Sequence, residues 1–201
     1  MNKDIKYLCI LAAFITSDNF KETEKCIILM KKRKIDPLKI YETILQTYLF
    51  CGFPAVIESL KIFKFHFKNF TITYQTYDLK KYQKAGLVNC KLIYKKNFKK
   101  LISNMAFVSP ELKEWMIIEG YGKILGRKGL TLAERELINV SILTTRYFES
   151  QLFAHFKGSL NLDIKASFII KILDEIKAIS GNQNYNKACK LLKHISLKSQ
   201  K

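Results

Sequence analysis

Three histidines occur in the chain, and two of them, His66 and His194, stand among lysines with no visible proton-transfer partner. His155 is placed differently. In Gln151-Leu-Phe-Ala-His155-Phe-Lys-Gly-Ser159 it shares one helical stripe with Gln151, Leu152 and Ser159. Upstream, Glu136 falls on the stripe Glu136, Val140, Leu143, Tyr147, whose other members are apolar or aromatic. A carboxylate facing a packed helix pair is costly to ionise. An imidazole beside it adds a second proton-transfer group that works near neutrality. No other stretch of the chain offers such an acid–base pair. Periodicity alone also fits a core histidine whose ring is satisfied by hydrogen bonds.

The elements that must hold these residues read as helices throughout. Only 3 prolines and 8 glycines interrupt the 201 residues, and apolar residues recur at three and four. Asp36-Pro37 and Ser109-Pro110 each put a capping oxygen before a proline of the first turn, and Thr131-Leu-Ala-Glu134 is a capping box. Tyr41, Ile44, Leu45 and Tyr48 follow the first signal on one stripe; Ile169, Ile172, Leu173 and Ile176 repeat that spacing after Asp163. A glycine (Gly52, Gly181) and a further apolar-periodic stretch follow each set. This pattern predicts an all-α bundle of about eight to ten helices built from two degenerate repeats. The expected boundaries are a structural first repeat at 1–65, a connecting segment at 66–108 and a second repeat with the candidate site at 109–201. Two unrelated helical hairpins sharing the amphipathic period would look alike at this level.

Hydrophobic residues make up 48% and charged residues 26%, which excludes a disordered tail. The longest apolar run, Tyr7 to Ile15, is about half of the roughly 18 residues a spanning helix needs, so no membrane partner is expected. Asp4 beside Lys3 and Lys6, and Thr16-Ser17-Asp18 in place of a small-x-small site, argue against a secretory leader. Cys9, Cys26, Cys51, Cys90 and Cys189 are odd in number and scattered, unlike a disulfide framework or a zinc site. A cytoplasmic location and no metal follow as expectations.

The net charge of +18 would suggest nucleic acid, yet arginine, the better reader of bases and phosphates, supplies only Arg33, Arg127, Arg135 and Arg146. Lys64, His66 and Lys68 alternate with Phe63, Phe65 and Phe67, as in a single-stranded nucleic-acid platform. The other reading is a connecting segment whose aromatics pack under the helices. Gly120, Gly122, Gly126 and Gly129 lack the spacing of a dinucleotide loop and the Gly-Lys-Ser/Thr of a phosphate loop, so they predict a flexible turn and no nucleotide cofactor.

Leu130-Thr-Leu-Ala-Glu-Arg-Glu-Leu-Ile138 through His155-Phe-Lys-Gly-Ser-Leu-Asn161 resembles the carboxymuconolactone decarboxylase / alkyl hydroperoxidase D superfamily. Tyr48-Leu-Phe-Cys-Gly-Phe-Pro-Ala-Val-Ile-Glu-Ser-Leu60 is similar to the helix that closes that domain, and Ser109-Pro-Glu-Leu with Tyr121 to Leu130 to the segment before its core motif. The peroxidase branch spaces Glu, Cys, Cys and His so that, counting from Glu136, the thiols would fall at Phe148 and Gln151 and the histidine at His155. Acid and histidine match; both thiols are missing. The resemblance therefore implies the cysteine-free, decarboxylase-like branch and no dithiol peroxidase activity.

By this resemblance Glu136 and His155 are the candidate catalytic residues, and Phe148, Gln151 and Ser159 the candidate substrate pocket. The implied activity is cofactor-independent acid/base chemistry on a small organic acid or lactone, with surrounding lysines attracting an anionic substrate. The family also implies a homo-oligomer, a trimer or hexamer. In the first repeat the counterparts of Glu136 and His155 are read as Cys9 and Ile28. The alternatives are a non-catalytic helical binding module of the same family and a nucleic-acid binder using the lysine surface.

Overall fold

Helix α1 (Ile5–Thr16) turns the long apolar run into a core element, with Leu8, Leu11, Ala12 and Ile15 fully buried. The computed structural model describes residues 4–72 and 74–198. The far ends of the two expected repeats, including Lys3, therefore lie outside the described residues. Helix α2 (Phe20–Lys32) follows a break at Asp18, and α3 (Pro37–His66) opens where Asp36 accepts the Leu38 N–H and Pro37 takes the first turn. Then come α4 (Leu79–Tyr94), a 3-10 turn (Lys95–Asn97), α5 (Phe98–Val108), α6 (Pro110–Trp115) and a π-helical segment (Met116–Ile124). Helices α7 (Leu132–Arg146), α8 (Glu149–Asn161) and α9 (Ala166–Lys198) complete the chain. Among the described residues all regular structure is helical.

Helices α1–α3 and α7–α9 run through the same sequence of breaks. Left-handed backbone falls at Asp18, Lys34 and Gly52 in the first set and at Tyr147, Asp163 and Gly181 in the second, each pair 129 residues apart. A left-handed non-glycine residue costs roughly 1–2 kcal/mol, so its recurrence at matched breaks reflects a shared chain path. Helices α2 and α8 begin and end in this register, and so do the starts of α3 and α9. Buried positions coincide too: Leu8 with Leu137, Ile27 with Phe156, Ile35 with Ile164, Ile40 with Ile169, Phe63 with Leu192. The contacts are reciprocal. The Lys6–Glu175 ion pair at 3.0 Å occupies the positions that Arg135 and Gln46 hold across the other pair of helices, where Arg135 donates to Gln46 at 3.1 Å.

This register corrects one expectation. The first-set positions matching Glu136 and His155 are Tyr7 and Cys26, two residues away from Cys9 and Ile28. Apolar spacing tolerates such a slip on a helix buried almost all round, whereas the left-handed breaks do not.

The middle of the chain is also arranged differently from the expectation. The segment read as a connector, 66–108, forms α4 and α5, and α4 packs on the π-helical segment and on α8. Residues 109–131, assigned to the second repeat, therefore belong with this insert, and the second unit proper starts at α7. Gly120 and Gly122 lie inside the π-helical turns and not in a loop. Gly122 is required there: a Cβ on it would sit 2.0 Å from the Tyr82 carbonyl oxygen, and one on Gly86 equally close to that of Ile117.

Phe63, Phe67, Phe70 and Tyr41 form one aromatic cluster beneath the end of α3, leaving Phe65 exposed. Helix α3 has the length and composition of a membrane span, with mean hydropathy 1.2, but it bends at Gly52 and 44% of that window is buried in the fold.

Candidate active site

Helix α7 starts on its capping box: the Thr131 hydroxyl accepts the Glu134 N–H, and the Glu134 carboxylate accepts the Thr131 N–H at 2.9 Å. From there every residue from Glu134 to Thr144 is buried. Glu136 and Asn139, one turn apart, share the side that meets α8. Gly158 of α8 makes that approach possible, because a Cβ on it would lie 2.7 Å from Glu136 Oε2 and from Ile93 Cγ2. His155, one turn earlier on α8, then reaches Glu136, with Nδ1 2.9 Å from Oε2.

A chain of polar side chains fixes the orientation of the amides behind this pair. Arg127 donates twice to Glu42 of α3, at 2.9 and 3.0 Å, and the fully buried Arg135 donates to the same carboxylate at 3.0 Å. Arg135 also donates to Gln46 Oε1. Gln46 Nε2 in turn donates to the Arg135 carbonyl at 2.8 Å and to Asn139 Oδ1 at 2.7 Å. Arginine only donates and a carbonyl only accepts, so both amide orientations are determined. Asn139 Nδ2 is left to donate to Glu136 Oε1 at 3.3 Å. Glu136 then accepts a hydrogen bond from His155 Nδ1–H on its other oxygen. In the neutral ring this leaves Nε2 unprotonated and free to act as a base.

The ring opens onto a cavity of about 680 Å³ between the two hydrophobic clusters of the fold. Tyr48, Phe50, Leu101, Met105, Trp115 and Met116 give it apolar and aromatic walls, and Phe50 meets the His155 ring edge-on at 6.3 Å. The lining contains no lysine or arginine. Glu119, at the same cavity, is held by Lys123 at 2.7 Å and Tyr77 at 2.5 Å.

The structure brings Glu136 and His155 together and puts Gln151 on the cavity wall. Glu136 itself is fully buried behind the ring and does not line the cavity. Phe148 is half exposed at the start of α8, and Ser159 is buried with a hydroxyl that has no partner; neither lines the cavity. Helical stripes identify neighbours along α8, but Phe148 precedes the helix and Ser159 faces the core.

Sequence reasoning missed Glu42, Gln46, Arg127, Arg135 and Asn139. The available signal was a polar pair one turn apart on each of two otherwise apolar helices, Glu42 with Gln46 and Arg135 with Asn139.

All five cysteines are free. Burial pushes Cys9, Cys26 and Cys90 up to about 12, which leaves them as thiols near neutrality. No group of three or more His, Cys, Asp or Glu side chains suited to a metal ion occurs among the described residues. No protein-family model matches this chain, and a search of curated proteins returns no match.

Proposed function

We propose that the protein is a carboxymuconolactone-decarboxylase-like acid/base enzyme acting on a small organic acid or lactone. His155 exchanges the proton through Nε2, and Glu136 orients the ring and balances its charge. The observation that carries this reading is the 2.9 Å contact between His155 Nδ1 and a wholly buried carboxylate, with the ring at a cavity and the carboxylate behind it. A buried acid supporting an accessible imidazole is a general acid–base arrangement worth about 10²–10⁴ in rate.

The apolar walls suit a flat or aromatic frame, and the imidazolium is the one cationic group at the lining to meet a carboxylate. The lysine surface would draw an anion toward the mouth. We read the two three-helix units as copies of one ancestral unit, supported by the constant 129-residue register. Phe107, Val108, Leu112 and Trp115 are exposed on α5 and α6, two of them lining the cavity, which supports a homo-oligomer that covers the mouth. The free cysteines fit a cytoplasmic setting.

The test is a turnover screen of small cyclic and aromatic oxo acids and lactones, followed by His155→Gln on any substrate found. Loss of turnover with retained binding supports the reading. Turnover unchanged in His155→Gln overturns it, and saturable binding without turnover of any member moves the protein to a binding module.

A further inference from the structure

Two phenols share the cavity with His155 and belong to neither the acid–base pair nor the polar chain behind it. Tyr94 closes α4 and Tyr121 lies in the π-helical segment; they are 5% and 6% exposed, and both line the cavity. Their hydroxyl oxygens are 2.6 Å apart, with the rings edge to face at 5.8 Å. Two hydroxyls carry two protons, and one of these fills the bond between them. The other has no acceptor among the described residues. A buried O–H without an acceptor is unfavourable, and here it sits on a cavity wall, where a ligand oxygen can receive it.

The backbone places this pair deliberately. Gly122, next to Tyr121, touches α4 at Tyr82, and Gly86 of α4 touches the π-helical segment at Ile117. The two segments therefore meet backbone to backbone; Tyr121 lies within that contact, and the hydroxyl of Tyr94, about two turns beyond Gly86 on α4, meets its own. Burial first, and then neighbouring charges including Glu136, raises both phenols well above their ordinary range, so both remain protonated donors.

We infer that Tyr94 and Tyr121 form an oxyanion subsite, donating a hydrogen bond to an enolate or phenolate oxygen on a flat apolar ligand. The inference deepens the proton-transfer reading of His155 and rests on it for its chemistry. It names the substrate class as β-oxo or vinylogous oxo acids. When such a carboxylate loses CO2, the C–C bonding pair passes through the α carbon onto the carbonyl oxygen. The phenol pair holds that enolate oxygen while the His155 imidazolium gives its proton to the α carbon. Solvent then returns a proton to His155. A donor that strengthens as charge develops on oxygen lowers the barrier to the enolate.

Substituted phenols test the subsite without needing turnover. The chain has a single tryptophan, Trp115, and it lines this cavity, so its emission reports occupancy. Phenol, 4-chlorophenol and 4-cyanophenol should bind saturably to the full-length protein, more tightly as the phenol becomes more acidic. Tyr94→Phe and Tyr121→Phe, each checked for native helicity, should weaken 4-cyanophenol about ten- to a hundredfold. Equal affinity in wild type and both variants overturns the subsite, as does the absence of saturable binding. If the variants do not fold, the wild-type series decides, because affinity that does not vary with phenol acidity also overturns it. The two readings fail separately. Phenol binding that needs the tyrosines, together with turnover untouched by His155→Gln, keeps the subsite and removes the proton-transfer role.

Discussion

In α1 and α2 the helix pair packs almost without polar groups, whereas in α7 and α8 the same backbone carries a hydrogen-bonded line into its centre. Position by position, Lys6, Tyr7 and Ile10 stand where the second unit has Arg135, Glu136 and Asn139. Cys26 takes the place of His155, and Leu29 that of Gly158. In α9 the counterparts of Glu42 and Gln46 are the exposed Lys171 and Glu175. Helices α1 and α2, with α9 across from them, thus show that the same helix path forms without this line. Buried ion pairs are weak evidence for stability in any case. The polar chain is better explained by what it does to His155 than by what it does for the fold.

The sharpest way to break the comparison is to exchange the matched residues for inert ones. We expect His155→Gln to lower turnover of an identified substrate about 10²–10⁴-fold, with Cys26→Ser leaving it within twofold, by steady-state kinetics. Next, Glu42→Ala strands the buried Arg135 and frees Arg127. It should cost about 3–5 kcal/mol in urea unfolding, against less than about 0.5 kcal/mol for the matched surface change Lys171→Ala. Gly158→Ala drives a methyl toward Glu136 and Ile93 and should cost about 1–3 kcal/mol. The matched Leu29→Ala, at a position 40% exposed, should cost less.

A smaller effect concerns pH. Burial raises the Glu134 carboxyl, but Lys39 at 2.5 Å and the Thr131 cap outweigh it, so its pKa lies below the ordinary 4.5. A depressed folded value means the contribution is present above about pH 4.5 and lost as pH falls through the folded pKa. Lys39→Met should therefore destabilise near pH 7 and converge with wild type in acid, as followed by denaturant midpoints across pH. Last, replacing all five cysteines with serine should leave peroxide consumption with a supplied dithiol unchanged, because burial keeps the deepest thiols protonated.

The helical class and the main caps were legible because their determinants are local. Asp36-Pro37, Ser109-Pro110 and the Thr131–Glu134 box all act as their spacing indicates. Glu136 and His155 were legible as a pair because Glu136 interrupts an apolar stripe and His155 is the one histidine that does not stand among lysines. The register between the units was not, since α1 and α7 are buried on nearly every side and apolar spacing there has no preferred phase. The cavity was illegible for another reason: its walls come from α3, α4, α5, α6, the π-helical segment, α7 and α8, and no short stretch of sequence reports their meeting. The π-helical turns around Gly120 and Gly122 read as a loop because glycine pairs usually mark one.

Glu42 and Gln46 are supplied by α3, a helix of the first unit, yet the imidazole they steady belongs to α8 of the second. The candidate site is therefore shared by both halves: Asn139, Gln151, Ala154 and His155 of its lining come from the second unit, Tyr48, Leu49 and Phe50 from the first, and the remaining walls from the insert between them. Cut within 67–78, between α3 and α4, neither fragment would hold an oriented His155. Its orientation would return only when the fragments dock, so chemistry in this protein would double as a gauge of assembly.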